Sequence, residues 1–166
     1  MLIFLDIDGV LNRLGEEAYD KYGWSHNADH TNWHKDLLVN LERVCVTTGA
    51  DVVISSSWRM LYKDVHWWNE QFKLAGVKVN VIDITGRSNN GFRGREIYSW
   101  LSDHSYSKYV IIDDESDFFP DQPRIKCAHE DGLTEAKAQE AIDVLTGHKR
   151  GFDLWCMEER NPPEGG

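Results

Sequence analysis

Residues 1–10 read Met-Leu-Ile-Phe-Leu-Asp-Ile-Asp-Gly-Val, and this stretch decides the fold. The run from Leu2 to Leu5 is continuously apolar, as expected of a strand buried on both faces of a sheet. Two carboxylates, Asp6 and Asp8, follow the run, and Gly9 lets the backbone turn sharply behind them. Because open α/β sheets bind ligands at the carboxyl ends of their strands, these acids are candidates for a binding site.

Beyond this strand, apolar runs alternate with stretches of helical periodicity, which is typical of an α/β domain. We predict a three-layer, Rossmann-like α/β sandwich with a mostly parallel central sheet. The remaining predicted strands are 52–54, 77–81, 109–112 and 124–128, and the predicted helices carry apolar stripes at 37–48, 61–75, 97–104 and 138–145.

Length, charge and cysteine content exclude several kinds of protein. The 166 residues suffice for one domain, at 1–150, followed by an aperiodic and partly disordered tail at 151–166. No apolar run is long enough to span a membrane, and the early acids are unlike a signal peptide. A formal charge of −10 disfavours broad binding to duplex nucleic acid, and three isolated cysteines favour neither a disulfide framework nor a zinc site. We therefore expect a cytoplasmic protein with no membrane partner.

Two polar stretches interrupt the alternation, at residues 12–32 and 85–94. Each should lie at the carboxyl end of a strand, where ligands bind. The first stretch is long for a strand-to-helix connection and predicts a functional loop or a short flap. Both stretches are too short to fold as independent domains, so we expect the binding edge to be open.

Three aromatic residues and three histidines in or beside the first polar stretch have two interpretations each. They are Tyr22, Trp24, Trp33, His26, His30 and His34. The aromatic rings could stack on a nucleic-acid base, but packing inside the protein is the favoured interpretation. The histidines are spaced by four and could line one face of a helix as a zinc site. Because they lack cysteine or acidic partners at matching spacing, we favour a polar surface.

A second acidic run, Asp113-Asp114-Glu115-Ser116-Asp117, follows the predicted strand at 109–112. Asp113 and Asp114 directly follow four apolar residues, whereas we interpret Glu115 as solvated surface. Two parallel strands that both end in carboxylates can bring these groups together, and close carboxylates need a cation or a shared proton. Because oxygen-only ligands suit Mg²⁺, the two acidic groups predict a magnesium site.

Ser55 and Ser56 follow the predicted strand at 52–54 and have two possible roles. Hydroxyl and backbone N–H groups at a strand-to-helix turn can bind a phosphate oxygen. Serine is also a common helix N-cap, and taken alone the capping role is favoured.

Three arginines, Arg87, Arg93 and Arg95, lie in or next to the second polar stretch. An arginine at the start of a helix opposes the helix dipole, which favours acids there. Arg93 or Arg95 in that position therefore indicates a local anion.

Taken in order, these groups resemble the four motifs of the haloacid-dehalogenase-like (HAD) phosphohydrolases. The stretches that carry the resemblance are LDIDGVLN, ISSSWR, RGREIYSWL and VIIDDESD, within roughly residues 1–145. More narrowly, they resemble the small HAD domains associated with RNA-repair proteins, which are related to the phosphatase half of polynucleotide kinase/phosphatases. The chain departs from the family pattern at Val10, where many members have threonine, and in having arginine where the third motif often has lysine.

The resemblance implies a role for each matching carboxylate. Asp6 would attack phosphorus and carry the phosphoryl group as an aspartyl-phosphate, with its other oxygen on Mg²⁺. Asp8 would protonate the leaving alcohol, later activate water, and bind the metal through its backbone carbonyl. Asp114, with or without Asp113, would complete the metal shell, and Asp117 would orient it from behind.

The resemblance also implies which side chains hold the phosphoryl group. Ser55 or Ser56 would donate a hydrogen bond to it, and Arg93 would neutralise its charge, with Arg95 as the alternative. In an open site, Arg59, Arg87 and Arg95 could hold neighbouring phosphates of a larger substrate.

The expected function is a Mg²⁺-dependent phosphomonoester hydrolase whose substrate is a nucleotide or a terminal phosphate of a nucleic acid. HAD enzymes that act on small metabolites usually carry a separate cap domain, so the short insertions imply no large cap and an open site. The alternatives are a phosphatase of another small phosphorylated metabolite, a receiver-like signalling domain and an acidic binding module. A dinucleotide-dependent oxidoreductase is disfavoured because no Gly-x-Gly-x-x-Gly follows the first strand.

Overall fold

Five parallel strands form the central sheet of the computed structural model, which describes residues 1–15 and 32–148. The strands are β1 (Leu2–Leu5), β2 (Asp51–Ile54), β3 (Val81–Ile84), β4 (Tyr109–Asp113) and β5 (Arg124–Lys126). Their spatial order is β3-β2-β1-β4-β5, so β1 lies in the middle, between β2 and β4. The α/β class and the parallel sheet that the sequence predicts are confirmed.

Four α-helices of the described residues cover the two faces of the sheet. They are α1 (Lys35–Thr48), α2 (Val65–Leu74), α3 (Arg93–Ser102) and α4 (Glu135–Thr146). Because successive strand residues point to opposite faces, Ile3 and Leu5 join a core with residues of α1, α2 and α4. Leu2 and Phe4 join a second core with residues of α3. The three predicted layers are thus confirmed, and none of the described helices has the length and hydropathy needed to cross a membrane.

The third strand begins later in the chain than the sequence predicts. The alternating valines of 77–81 predict a strand there, but β3 starts at Val81. Val81 pairs with Val52 of β2, and the Asn69 side chain of α2 binds both the backbone N–H and the carbonyl of Val81, each at 2.8 Å. Val77 is instead buried in the core before the strand begins. Contacts with neighbouring elements, rather than the valine alternation, decide where this strand starts.

The second helix also begins later than its apolar stripe predicts. Leu61 follows a 3-10 helix at Ser57–Met60 and is 80% exposed, so it does not belong to the buried face. Asp64 caps α2 by accepting a hydrogen bond from the backbone N–H of His66 at 3.0 Å. This cap places the start of the helix at Val65.

The two ends of the first polar stretch are joined near β1. Nδ2 of Asn12 donates to Oδ1 of Asn32 at 2.9 Å. Trp33 is fully buried, with its ring centroid 5.0 Å from that of Phe72 and 6.1 Å from that of Trp68, so the packing interpretation is confirmed for this residue. Outside the described residues lie Tyr22, Trp24, His26, His30 and the predicted tail at 151–166.

Candidate active site

The carboxyl ends of three neighbouring strands bring polar residues together at one edge of the sheet. Asp6 follows β1, Ser55 follows β2, and Asp113 is the last residue of β4. The backbone N–H of Asp6 donates to the carbonyl of Ile112 at 3.0 Å. The backbone N–H of Ser55 likewise donates to the carbonyl of Leu5 at 3.0 Å. The parallel ladder therefore continues one residue beyond the strands and places these residues side by side.

Three carboxylates converge at this edge. Asp6, Asp113 and Asp114 each offer an oxygen, and these oxygens lie within 4.8 Å of one another. Burial, followed by the negative charge of Asp6, raises the pKa of both Asp113 and Asp114. Among the described residues, no other set of three or more acids, histidines or cysteines is grouped closely enough to hold a metal ion.

The chemistry of these donors fits Mg²⁺. All three side chains offer hard carboxylate oxygens, and a divalent cation would relieve the repulsion between them. Both oxygens of Asp113 already accept a hydrogen bond, which leaves this residue less able to bind a metal. Its Oδ2 accepts from Nη1 of Arg93 at 2.5 Å, and its Oδ1 accepts from the backbone N–H of Glu115 at 2.9 Å. Asp6 and Asp114 are therefore the better placed side-chain ligands.

Gly9 allows Asp114 to approach the turn that follows β1. Its φ is 74°, in the left-handed region, and a Cβ at this position would collide with the carboxylate of Asp114. Only glycine satisfies both the backbone conformation and the close approach.

We expect Gly9→Ala to weaken Mg²⁺ binding and to lower the free energy of unfolding by more than the roughly 1–3 kcal/mol that a strained φ costs alone. The added methyl group displaces Asp114 as well as straining the backbone. Gly49→Ala is the matched control, because Gly49 has a φ of 69° but no atom within 4 Å of an added Cβ. Urea denaturation and calorimetric titration with MgCl₂ measure the two effects, and equal results for both variants would contradict this explanation.

Arg93 is the arginine that the structure brings to the clustered acids. It opens α3, and its Nη1 lies 2.5 Å from Oδ2 of Asp113 and 3.4 Å from Oδ2 of Asp6. Its backbone N–H donates to Oδ2 of Asp117 at 3.1 Å. Burial alone would lower the pKa of Arg93, but the charges of Asp113 and Asp6 outweigh burial and raise it. The anion that the sequence indicates at this helix start is therefore supplied by the protein's own carboxylates.

Asp8 has different neighbours from the three clustered acids. Its Oδ1 accepts from Nδ2 of Asn12 at 2.8 Å, and its Oδ2 accepts from Nε1 of Trp58 at 3.0 Å. The family resemblance implies that the backbone carbonyl of Asp8, rather than these side-chain oxygens, binds the metal, and this role stays a prediction. Sequence reasoning did not find Asn12 or Trp58, and the only signal for them is their place within the first and second motif stretches.

The two serines have separate roles in the structure. Ser56 is the N-cap of the 3-10 helix, and its Oγ accepts from the backbone N–H of Trp58 at 3.2 Å. Ser55 is fully buried at the end of β2, and its Oγ has no hydrogen-bond partner among the described residues. Because buried hydroxyl groups are normally paired, the partnerless Ser55 hydroxyl is the better candidate to donate to a phosphate oxygen, whereas the Ser56 oxygen already serves as a helix cap.

The other arginines predicted to bind phosphates lie in different surroundings from Arg93. Nη2 of Arg59 forms a buried ion pair with Oε2 of Glu96 at 2.5 Å. Burial lowers the pKa of Arg59, and the negative charge of Glu96 counteracts this. Arg87 and Arg95 are exposed and, with Glu96, line a cavity of about 370 Å³ whose described lining does not include the three clustered acids.

Glu96 is a buried acid that sequence reasoning did not single out. Its Oε1 accepts from the backbone N–H of Ser88 at 2.8 Å and from the Ser88 hydroxyl at 3.2 Å, while Oε2 binds Arg59. Glu96 therefore joins the second polar stretch to α3 and to the 3-10 helix. Its position in the first turn of α3 adds a favourable interaction with the helix dipole.

Glu96→Ala is expected to lower the free energy of unfolding by about 3–5 kcal/mol, because it leaves the buried charge of Arg59 uncompensated. Glu135→Ala is the matched control, since Glu135 lies in the first turn of α4 but is exposed. Loss of the helix-dipole interaction alone costs about 0.3–1 kcal/mol. Urea denaturation of both variants measures the difference, and a Glu96→Ala effect as small as that of Glu135→Ala would contradict the role of the ion pair.

Comparison with known proteins identifies a family for most of the chain. Residues 2–138 match the sequence profile of a family described as the HAD domain in Swiss Army Knife RNA repair proteins. The matched region contains the acidic cluster and its surroundings, including Asp6, Asp8, Ser55, Arg93 and Asp114. Comparisons with curated proteins and with solved structures gave no match.

Proposed function

The chain belongs to the family of HAD domains in Swiss Army Knife RNA repair proteins, and on this premise we propose that it is a Mg²⁺-dependent phosphomonoester hydrolase. The observation that carries the proposal is the position of Asp6. Its carboxylate lies within 4.8 Å of an Asp114 oxygen and 3.4 Å from the guanidinium of Arg93, and Ser55, whose hydroxyl has no partner among the described residues, follows the neighbouring strand. Nucleophile, charge neutralisation and hydrogen-bond donor are therefore side by side, as phosphoryl transfer requires.

In the proposed reaction, one Oδ of Asp6 attacks phosphorus while the bond from phosphorus to the leaving alcohol oxygen breaks. The phosphoryl group passes to Asp6 as an aspartyl-phosphate, and the proton of Asp8 passes to the leaving oxygen. Water, activated by Asp8, then attacks the phosphoryl group, which releases inorganic phosphate and regenerates the carboxylate of Asp6. Arg93 neutralises the equatorial oxygens, and Ser55 donates a hydrogen bond to one of them.

The carboxylates of the site would hold a magnesium ion that offsets their negative charge. Asp6 and Asp114 would hold it through their side chains and Asp8 through its backbone carbonyl, with Asp113 behind them. When bound, Mg²⁺ supplies Lewis-acid stabilisation of the negative charge on the phosphoryl group. Burial, and after it the negative charge of Asp6, raises the pKa of Asp113 and of Asp114, which supports this assignment because a cation would remove the repulsion.

We take the substrate to be a phosphomonoester on a nucleotide or on the end of a nucleic acid. The family name points to RNA repair, and the described residues hold no separate cap domain over the acidic edge. The net charge of −10 favours a single terminal phosphate over a long polymer groove. We propose a cytoplasmic location, because nucleotides and Mg²⁺ are both abundant there.

The test is a panel of phosphate-release assays with MgCl₂ and with EDTA. The substrates are 3′- and 5′-mononucleotides, 3′-phosphorylated oligonucleotides and sugar phosphates. Faster release from the nucleotide substrates, abolished by EDTA, is the expected result. Equal and slow rates on every substrate would refute the nucleotide preference, and a phosphoprotein lasting minutes to hours would favour the receiver-like alternative. Absence of both hydrolysis and Mg²⁺ binding in calorimetry would favour the acidic binding module.

A further inference from the structure

Both oxygens of the Asp8 carboxyl group accept a hydrogen bond from another side chain. Nδ2 of Asn12 donates to Oδ1 at 2.8 Å, and Nε1 of Trp58 donates to Oδ2 at 3.0 Å. A carboxyl group on its own rotates through a broad range about its terminal torsion. Two donors on opposite oxygens remove that freedom and leave one orientation.

Both donors are themselves fixed. Oδ1 of Asn12 accepts from the backbone N–H of Gly9 at 2.9 Å, so the NH₂ end of this amide must face Asp8. The Trp58 ring packs among aromatic rings, with its centroid 6.0 Å from that of Trp33 and 5.9 Å from that of Tyr62. The direction of the indole N–H is thus set by the aromatic core.

The hydrogen bonds leave Asp8 able to exchange a proton. Each carboxylate oxygen has two acceptor positions, and each oxygen of Asp8 uses one of them for its N–H donor among the described residues. The remaining position on either oxygen can carry the proton that goes to a leaving group. The two donors therefore orient the group without blocking it.

We propose that Trp58 and Asn12 are positioning residues that aim the carboxyl group of Asp8 at the leaving-group oxygen, an inference that rests on the proposed function. Neither residue touches the transferred phosphoryl group, and both act through Asp8. Their effect is confined to reactions in which the leaving oxygen needs a proton.

The first test compares two leaving groups in the Trp58→Phe protein. The ratio kcat/KM reports the steps up to phosphoryl transfer. We expect it to fall at least about tenfold for a mononucleotide, and by no more than the roughly 10²–10⁴-fold that a positioned acid supplies in full. For p-nitrophenyl phosphate it should stay close to the wild-type value, because nitrophenolate leaves without a proton. An equal loss on both substrates would overturn the inference.

The second test places Trp58→Phe in an Asp8→Asn background. If Trp58 acts only through Asp8, the double variant loses no more mononucleotide activity than Asp8→Asn alone. A further tenfold loss in that background would overturn the inference. Asn12→Ala should likewise lose more activity on the mononucleotide than on p-nitrophenyl phosphate, together with a loss common to both substrates because it also removes the acceptor of the Gly9 N–H.

A matched control and a folding check complete the design. Trp68→Phe removes an indole N–H from the same aromatic core, where Nε1 of Trp68 donates to the carbonyl of Tyr62 at 3.0 Å, but away from Asp8. This variant should not distinguish the two leaving groups. If Trp58→Phe does not fold, incorporation of benzothienylalanine at position 58 removes the N–H while keeping the ring shape.

Nuclear magnetic resonance tests the contact independently of activity. The indole N–H signal of Trp58, identified by its loss in Trp58→Phe, should move when Asp8→Ala removes its acceptor, whereas the signal of Trp68 should not. An unmoved Trp58 signal would overturn the inference. Wild-type protein that hydrolyses neither substrate would refute the proposed function itself, whereas active wild type with an equally active Trp58→Phe would refute only the positioning role.

Discussion

Asp6→Asn is expected to leave a folded protein that releases phosphate roughly 10⁴–10⁶-fold more slowly than the wild type, as when a catalytic nucleophile is removed. The amide of asparagine has nearly the same shape as the carboxylate but is a much poorer nucleophile. It also carries no charge to share with Mg²⁺. Release of inorganic phosphate from a mononucleotide measures the loss.

The same substitution should not destabilise the metal-free protein. Asp6 is buried beside Asp113 and Asp114, and its negative charge contributes to the raised pKa of both. Neutralising Asp6 removes this repulsion, while Arg93 loses only the longer of its two ion pairs and keeps the one with Asp113 at 2.5 Å. The free energy of unfolding without Mg²⁺ should therefore be equal to or higher than that of the wild type. Loss of activity together with retained stability separates a catalytic role from a structural one.

Asp64→Asn is the matched control for this prediction. Asp64 caps α2 at an exposed position, and asparagine is an equally good N-cap. This variant should keep both its activity and its stability. Asp6→Asn protein with turnover near that of the wild type would reject Asp6 as the nucleophile.

Arg93→Ala is expected to lower both activity and stability. The side chain is 15% exposed and the Asp113 side chain is 0% exposed, with 2.5 Å between Nη1 and Oδ2. Its removal leaves a buried carboxylate without its partner, which should cost about 3–5 kcal/mol of unfolding free energy. Loss of a preorganised charge at the phosphoryl group should also slow turnover by about 10²–10³-fold.

Two further variants separate the charge of Arg93 from its geometry and position. Arg93→Lys keeps the charge but not the planar fork of donors, and it should recover part of both losses. Arg95→Ala removes an exposed arginine two residues later in α3 and should have little effect on stability. Phosphate release per folded molecule and urea denaturation measure the two quantities. A larger loss of activity in Arg95→Ala than in Arg93→Ala would transfer the phosphate-neutralising role to Arg95.

The sheet is the part of the fold that periodicity predicts well. The apolar runs at β1, β2 and β4 indicate buried parallel strands, and all three form close to their predicted bounds. β3 is the exception, because the alternation of its valines favours 77–81 whereas pairing with Val52 and the Asn69 side chain place it at Val81–Ile84. A local pattern cannot report a contact with a different helix.

The acids of the candidate site can be predicted from the same apolar runs that predict the strands. Asp6 and Asp113 stand directly after apolar runs, and any parallel sheet sends such residues to one edge. Which arginine joins them is predicted less firmly, since the position at a helix start and the family resemblance name Arg93 but leave Arg95 as the alternative. The hydrogen bond between Asp117 and the start of α3, together with the ion pair to Asp113, selects Arg93.

The sequence by itself determined the α/β class, the family and the order in which the acids, the serines and the arginine occur along the chain. These features depend on residues close together in the chain and on the side-chain periods of strands, two residues, and of helices, about 3.6 residues. Both can be recognised in a sequence. Only the tertiary structure decided that Trp58, 50 residues from Asp8, donates to its carboxylate, and that Ser55 rather than Ser56 keeps an unpaired hydroxyl. Such pairings depend on strand order and side-chain packing, which join distant parts of the chain.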